Sequence, residues 1–275
     1  MVINCYGIEN KIFRKAILIL FWGIFSSVVF AQQSQEELAK ASQNPLANMM
    51  SFPFQNNTNF NTGQYDRVQN ILNFQPVLPF FGGRLITRTI IPLLWQPMND
   101  TNGTVMGLSD IQFTAFYSPR TKGVIIGIGP IISFPSGSAS LGTQKWCAGP
   151  SIVLLGMPGH WVIGVLANNI WSFAGNSDRD AVNQFLAQYF VNYNLPKGWY
   201  LTSAPIITAN WNATKGNQWT IPFGLGAGKI VKLGKLPVNL QAAGFYNAVR
   251  PSNTADWTLR VMAVALLPTS IFKNK

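Results

Sequence analysis

Charge is what this sequence has least of. Asp, Glu, Lys and Arg make up 11% of its 275 residues, against about 25% in ordinary soluble domains, which excludes a surface solvated mainly by ionised side chains. Long apolar runs are scarce as well. Beyond residue 31 nothing approaches the roughly 20 uninterrupted apolar residues that a spanning helix needs, which argues against a helical membrane protein. The chain holds 2 Cys and 1 His. With so few soft ligands and only dispersed carboxylates, no disulfide framework and no metal-ligand spacing can be assembled. A Gly-x-Ser-x-Gly elbow is absent, and His160 stands beside Trp161 without a partner for general acid–base work. Neither an enzyme nor a cofactor is expected. The Gly-rich stretch 224–228 is not followed by a helical pattern, so it reads as strand and not as a phosphate cradle.

What is present is apolar but mild: 48% hydrophobic residues and a mean hydropathy of +0.17. A chain this apolar without spanning helices has one remaining way to satisfy every backbone N–H and C=O in a bilayer. That is a closed barrel, whose strands alternate apolar and polar side chains.

The N-terminus carries Lys11, Arg14 and Lys15, then an apolar stretch from Ala16 to Val29, then Val29-Phe30-Ala31 before Gln32. This is the layout of a secretory signal peptide, 1–31, cleaved after Ala31. Cleavage leaves 17 Lys and Arg against 8 Asp and Glu, a formal charge of +9. These basic residues are spread along the chain without a cluster or a nucleic-acid module, so nucleic acid is not an expected partner. Cys5 departs with the signal, and Cys147 is left as a small apolar residue in a strand. In the segment 32–50, Ser34 and Glu37 form a capping box for a short helix that Asn44-Pro45 would stop; a disordered leader reads equally well.

From Phe52 onward the chain is strand after strand, broken by Gly, Pro and Asn. Twelve segments are predicted, at about 52–60, 67–78, 84–95, 106–117, 123–134, 145–155, 161–173, 182–194, 199–211, 217–230, 236–248 and 256–267. Their connections fall into two alternating classes. Five are short, such as Pro79-Phe80-Phe81-Gly82-Gly83 and Leu195-Pro196-Lys197-Gly198, and read as periplasmic turns. Six are mostly longer and richer in Asn, Asp and Ser (61–66, 96–105, 135–144, 174–181, 212–216 and 249–255) and would face outward, the asymmetry of outer-membrane barrels. Alternation sets the faces. Phe185, Ala187, Tyr189, Val191 and Tyr193 share one side of their strand, and Gln184, Gln188 and Asn192 the other. A β-sandwich would alternate likewise, but it would bury its Trp near mid-strand. Here Trp161 and Trp199 follow short turns, while Trp95, Trp171, Trp211, Trp219 and Trp257 sit near the other strand ends, as two interfacial girdles require. The expected fold is therefore an all-β, up-and-down transmembrane barrel of about twelve strands over 51–268. A periplasmic helix or plug over 32–50 precedes it and a tail over 269–275 follows.

The segments Ser51-Phe52-Pro53-Phe54-Gln55-Asn56-Asn57-Thr58-Asn59-Phe60, Leu85-Ile86-Thr87-Arg88-Thr89-Ile90-Ile91-Pro92, Val182-Asn183-Gln184-Phe185 onward to Trp211, and Ala255-Asp256-Trp257-Thr258-Leu259-Arg260 resemble a family of bacterial outer-membrane transporters. That family is related to the meta-pathway phenol-degradation proteins, and its members are often mislabelled neuromedin U. The resemblance spans about residues 36 to 268. It implies a barrel and uptake of small compounds, hydrophobic ones among them, and it brings no catalytic or binding motif. The chain departs from the pattern at its end, where Pro268 to Lys275 extends past the last strand instead of closing on an aromatic residue.

Parity assigns the lumen-lining candidates: Arg88, Asp110, Gln112, Gln184, Gln188, Asn192 and Arg260. Arg88 and Asp110 face inward from neighbouring strands, and Arg260 lies near Gln55, Asn57 and Asn59 across the closure. They are either structural pairs of the interior or a constriction that selects solutes. Two functions stay open: a passive channel or transporter for small molecules in the bacterial outer membrane, or a structural or interaction barrel with a closed lumen. The expected partners are outer-membrane lipid, the barrel-insertion machinery and a small-molecule solute; the oligomeric state is unassigned.

Overall fold

The computed structural model describes residues 35–98, 103–119, 123–234 and 236–268; the expected signal peptide, Ser34 of the capping box and the tail 269–275 lie outside them. Twelve antiparallel strands close into one barrel. They are β1 (Met49–Thr62), β2 (Arg67–Phe74 and Val77–Phe80), β3 (Leu85–Pro97), β4 (Thr104–Leu108 and Gln112–Tyr117), β5 (Ile125–Ser133) and β6 (Lys145–Gly156). The second half comprises β7 (Trp161–Gly175), β8 (Asn183–Asn194), β9 (Trp199–Ser203 and Ile206–Asn210), β10 (Trp219–Leu233), β11 (Leu236–Val249) and β12 (Trp257–Pro268). Each strand pairs with its neighbours in sequence, and the wall is sealed where β1 meets β12, from Met49 opposite Pro268 to Phe60 opposite Trp257. Each of the twelve predicted segments coincides with one of these strands. Their five short connections gather at one end, called here the turn end, and the six others at the loop end.

The wall is apolar outside and polar inside. Phe54, Tyr117, Ile128, Ile152, Leu201 and Leu225 are exposed, whereas Gln55, Asn57, Thr114, Asn192 and Arg260 are buried. A soluble core would show the reverse. Most of the Trp side chains lie on the outer surface near strand ends: Trp161 and Trp199 towards the turn end, and Trp146, Trp171, Trp211 and Trp257 towards the loop end. One polar cluster shares the outer face with Phe54. There Thr58 Oγ1 donates to Asn70 Oδ1 (2.8 Å) and Asn56 Nδ2 donates to Thr58 Oγ1 (3.0 Å), so the side chains partner one another as a lipid-facing surface requires.

Three strands expected to be continuous over 67–78, 106–117 and 199–211 are interrupted, at Gln75-Pro76, at Ser109 to Ile111 and at Ala204-Pro205. Pro76 and Pro205 have no N–H to give the ladder. The carbonyls at these breaks are used instead: Thr89 N–H donates to Pro76 O (3.0 Å), and Ala204 O accepts from Gln188 Nε2 (3.2 Å). At Asp110 the cause is a side chain that leaves the wall to hold a loop.

Of the two readings of 32–50, the helix is realised, as α1 (Gln35–Gln43), and it ends where Asn44 Oδ1 accepts from the Leu46 N–H (2.8 Å) beside Pro45. Nine residues make a marginal helix in water, so its stability comes from the wall. Leu38 and Ala39 are buried against Ile230 of β10, with Met49 packed alongside. Asn239 Nδ2 donates to Ser42 Oγ (3.0 Å), and Gln43 and Asn194 exchange two amide bonds (2.9 and 3.3 Å). Leu46 then enters an apolar cluster with Val77, Ile86, Phe116, Val153 and Phe190 on the inner wall. The N-terminal segment is a plug in the turn end of the lumen.

Candidate functional site: the lumen and its side groove

Above the plug the inward side chains of nine strands, β1 to β9, leave a cavity of about 420 Å³, within the range of small-molecule sites. Strand pleating puts Gln55 and Asn57 of β1, Arg88 of β3, Gln112 and Thr114 of β4, and Gln184 and Gln188 of β8 on its lining, with Asp110 at the break in β4. Between them stand Ile71, Ile90, Leu94, Leu166, Ile170 and Leu186. The lining is thus mixed, with amide and apolar patches in one space. Cys147 also lines it, buried against Ile131 and Ile170.

The charged candidates separate into committed and uncommitted groups. Asp110 and Arg88 do not pair with each other; the ion pairs among the described residues all lie elsewhere. Asp110 Oδ1 accepts from the Gly137 N–H (3.0 Å), and its Oδ2 accepts from the N–H (2.7 Å) and Oγ1 (2.6 Å) of Thr143. The carboxylate pins the 135–144 loop into the mouth of the barrel. Arg260 is equally engaged: Nε donates to Asn57 Oδ1 (2.9 Å), Nη1 to Ala204 O (2.7 Å), and the guanidinium lies 4.7 Å over the Phe245 ring. It ties β12, β1 and the β9 break together and does not line the cavity. Asn192 is buried on the inner face of β8, on the turn-end side of Gln188, and is also absent from the cavity lining. Arg88 differs. Its Nη2 donates to Gln75 Oε1, and Gln75 is its one hydrogen-bond partner among the described residues.

Sequence reasoning missed a groove of about 990 Å³ on the outer face. It is lined by Leu85, Ala115, Tyr117, Ile128, Ile152, Phe185 and two Gly-Pro pairs, Gly129-Pro130 and Gly149-Pro150, which sit opposite each other on β5 and β6. The β4–β5 ladder skips from Thr114↔Ile131 to Tyr117↔Ile128, and the β6–β7 ladder from Ala148↔Trp171 to Ser151↔Asn168. The skipped rungs are those of the Gly-Pro pairs. Proline supplies no N–H, and at Gly149 a Cβ would lie 1.7 Å from Asn169 O, so only glycine lets β7 come this near. Ser151 and Asn168 line both this groove and the lumen cavity, so a single layer of wall separates them. The repeated Gly-Pro was the available signal; their cross-strand alignment was not visible before register was known.

His160 serves the plug. Its Nδ1 lies 3.0 Å from Glu36 Oε1, which also holds Lys40 Nζ at 3.1 Å, and its ring meets Tyr193 edge-on.

No family model matches the chain, and no curated protein matches it in sequence. Among solved structures it is similar to the COG4313 outer membrane channel from Pseudomonas putida F1, with a TM-score of 0.59 and 16% identity over 80% of this chain and 94% of that one. It is also similar to the NanC porin, with a TM-score of 0.53 and 8% identity over 79% of this chain and 98% of that one. At these identities the likeness establishes the barrel fold.

Proposed function

We propose that the protein is a passive outer-membrane channel that carries small molecules, apolar ones among them, between the lumen and the bilayer side of its wall. The observation that carries this is the juxtaposition at Ser151 and Asn168: a lumen cavity and an apolar outer groove share these residues where the ladder is weakened. A weak ladder at a shared wall is where a molecule dissolved in lipid can cross with the fewest hydrogen bonds broken. The likeness in fold to an outer membrane channel and to a porin agrees with this reading. The turn end faces the periplasm in this reading, and the plug there blocks straight passage of ions.

The test compares the wild type, a variant lacking residues 35–47, and one with Pro130 and Pro150 both replaced by Val, which restores ladder donors and β propensity. In planar bilayers the wild type is expected to pass little current and the truncated form clearly more. In proteoliposomes the protein-dependent uptake of an apolar solute such as octanol, measured as the excess rate over protein-free vesicles, is expected to fall in the double Val variant. Folded protein without conductance or uptake in any form would leave the closed structural barrel as the account.

A further inference from the structure

Of the two ionised side chains that line the cavity among the described residues, Arg88 and Asp110, Arg88 is the less engaged. Asp110 is saturated by three bonds to its loop. Arg260, the other inward arginine, is held by Asn57, Ala204 and Phe245 away from the lining. Arg88 keeps one neutral partner, Gln75, itself buried and fixed by its N–H to Pro53 O (2.9 Å). A guanidinium carries five donors in a planar fork that matches a carboxylate. Half-buried at the cavity wall with one amide partner, it has donors left over, and a charge withdrawn from bulk water is stabilised by a counter-charge. Around it, Ile71, Ile90 and Leu94 line the same cavity from its own and the neighbouring strand, and Leu166 and Ile170 line it from β7. The outer groove beyond Ser151 and Asn168 adds mainly apolar surface and backbone, with Tyr117 and Asn169 as its other polar residues.

With Asp110 held by its loop, a guanidinium that keeps a free side in a cavity of mixed amide and apolar lining can pair with one negative charge on a molecule whose body is apolar. Resting on the channel reading above, we propose that the lumen cavity is a binding site for the carboxylate of a small amphipathic acid, with Arg88 as the residue that binds it and Gln75 as the residue that orients Arg88. The acid group would pair with the free side of the guanidinium while its apolar part lies along the isoleucines. Neutral apolar molecules pass the same wall but are not retained there.

Calorimetric titration of the full mature chain in nonionic micelles, with octanoate, octanol and octyltrimethylammonium as probes, tests this. The wild type is expected to bind octanoate saturably at one site and at least about tenfold more tightly than either other probe, the scale of a charge-assisted pair. Arg88→Met should lose that preference, and Arg88→Lys should keep part of it, because the charge remains and the fork does not. Equal binding of octanoate and octanol by the wild type overturns the proposal, whatever the variants do, so a variant that fails to fold does not shield it. Octanoate preference that survives Arg88→Met also overturns it. Proteoliposome uptake above the rate of protein-free vesicles separates the two claims: such octanol uptake without octanoate preference leaves the channel and removes the acid site, whereas octanoate binding without any protein-dependent uptake leaves the site and removes the channel.

Discussion

Asp110 looks like a selectivity residue by parity, yet each of its bonds is to the 135–144 loop. Hydrogen bonds to a charged group contribute about 1.5–3 kcal/mol each, and three of them converge here. Asp110→Ala is therefore expected to destabilise the barrel by about 3 kcal/mol, since some bonds re-form to water at the mouth. The check is a lower temperature of heat modification together with faster proteolysis between residues 137 and 143. Asp110→Lys should behave in the same way and should not act as a clean charge reversal of the pore. What could be read beforehand was that Asp110 points inward. What could not was its partner, because Gly137 and Thr143 lie 27 and 33 residues away along a loop without periodicity. Arg260 was more legible, since closure of the barrel already set it beside Asn57.

Among the elements, alternation made the twelve strands readable. The breaks in β2 and β9 were marked only by single prolines that an edge or a bulge could also have explained. The face assignment gives a direct test in β8. Tyr189→Arg places a cation in lipid and is expected to cost about 2–4 kcal/mol near the midplane, whereas Gln188→Arg enters the lumen cavity and should cost much less; unfolding titrations in detergent measure both. For α1, sequence suggested a helix but not its seat, which depends on Asn194 and Asn239, about 150 and 200 residues away. Gly127 is part of that seat: a Cβ there would come 2.8 Å from Leu46 Cδ1. Gly127→Leu should expel Leu46 and raise conductance towards that of the truncated form. The latch also responds to pH. The Glu36 carboxyl lies below its ordinary value of 4.5, chiefly through the hydrogen bond from Lys40, with its charge and His160 adding to it. A lowered carboxyl stabilises the docked state above its ordinary titration range and loses that contribution as pH falls through the lowered value. Because Lys40 travels with the helix, only the His160 part belongs to docking. Protection of the α1 amides, taken relative to their intrinsic exchange rate at each pH, should fall below about pH 4.5, and less so in His160→Ala, where that contact is already gone.

On the scale of the molecule, the barrel has one joint that is not local. Eleven strand pairs join sequence neighbours, but β1 and β12 are partners across some 200 residues of chain, with twelve residue pairs in register. Contacts of such separation form late, because the loop they close is costly to order. Until they form, two bare strand edges exist, and each is a template for pairing with another chain. The plug adds a constraint on timing. It is attached directly ahead of β1, yet it bonds to Asn194 of β8 and Asn239 of β11, so its seat is complete only when the far half of the wall has formed. The stopper is thus among the last parts to settle, and a barrel caught before it docks would conduct.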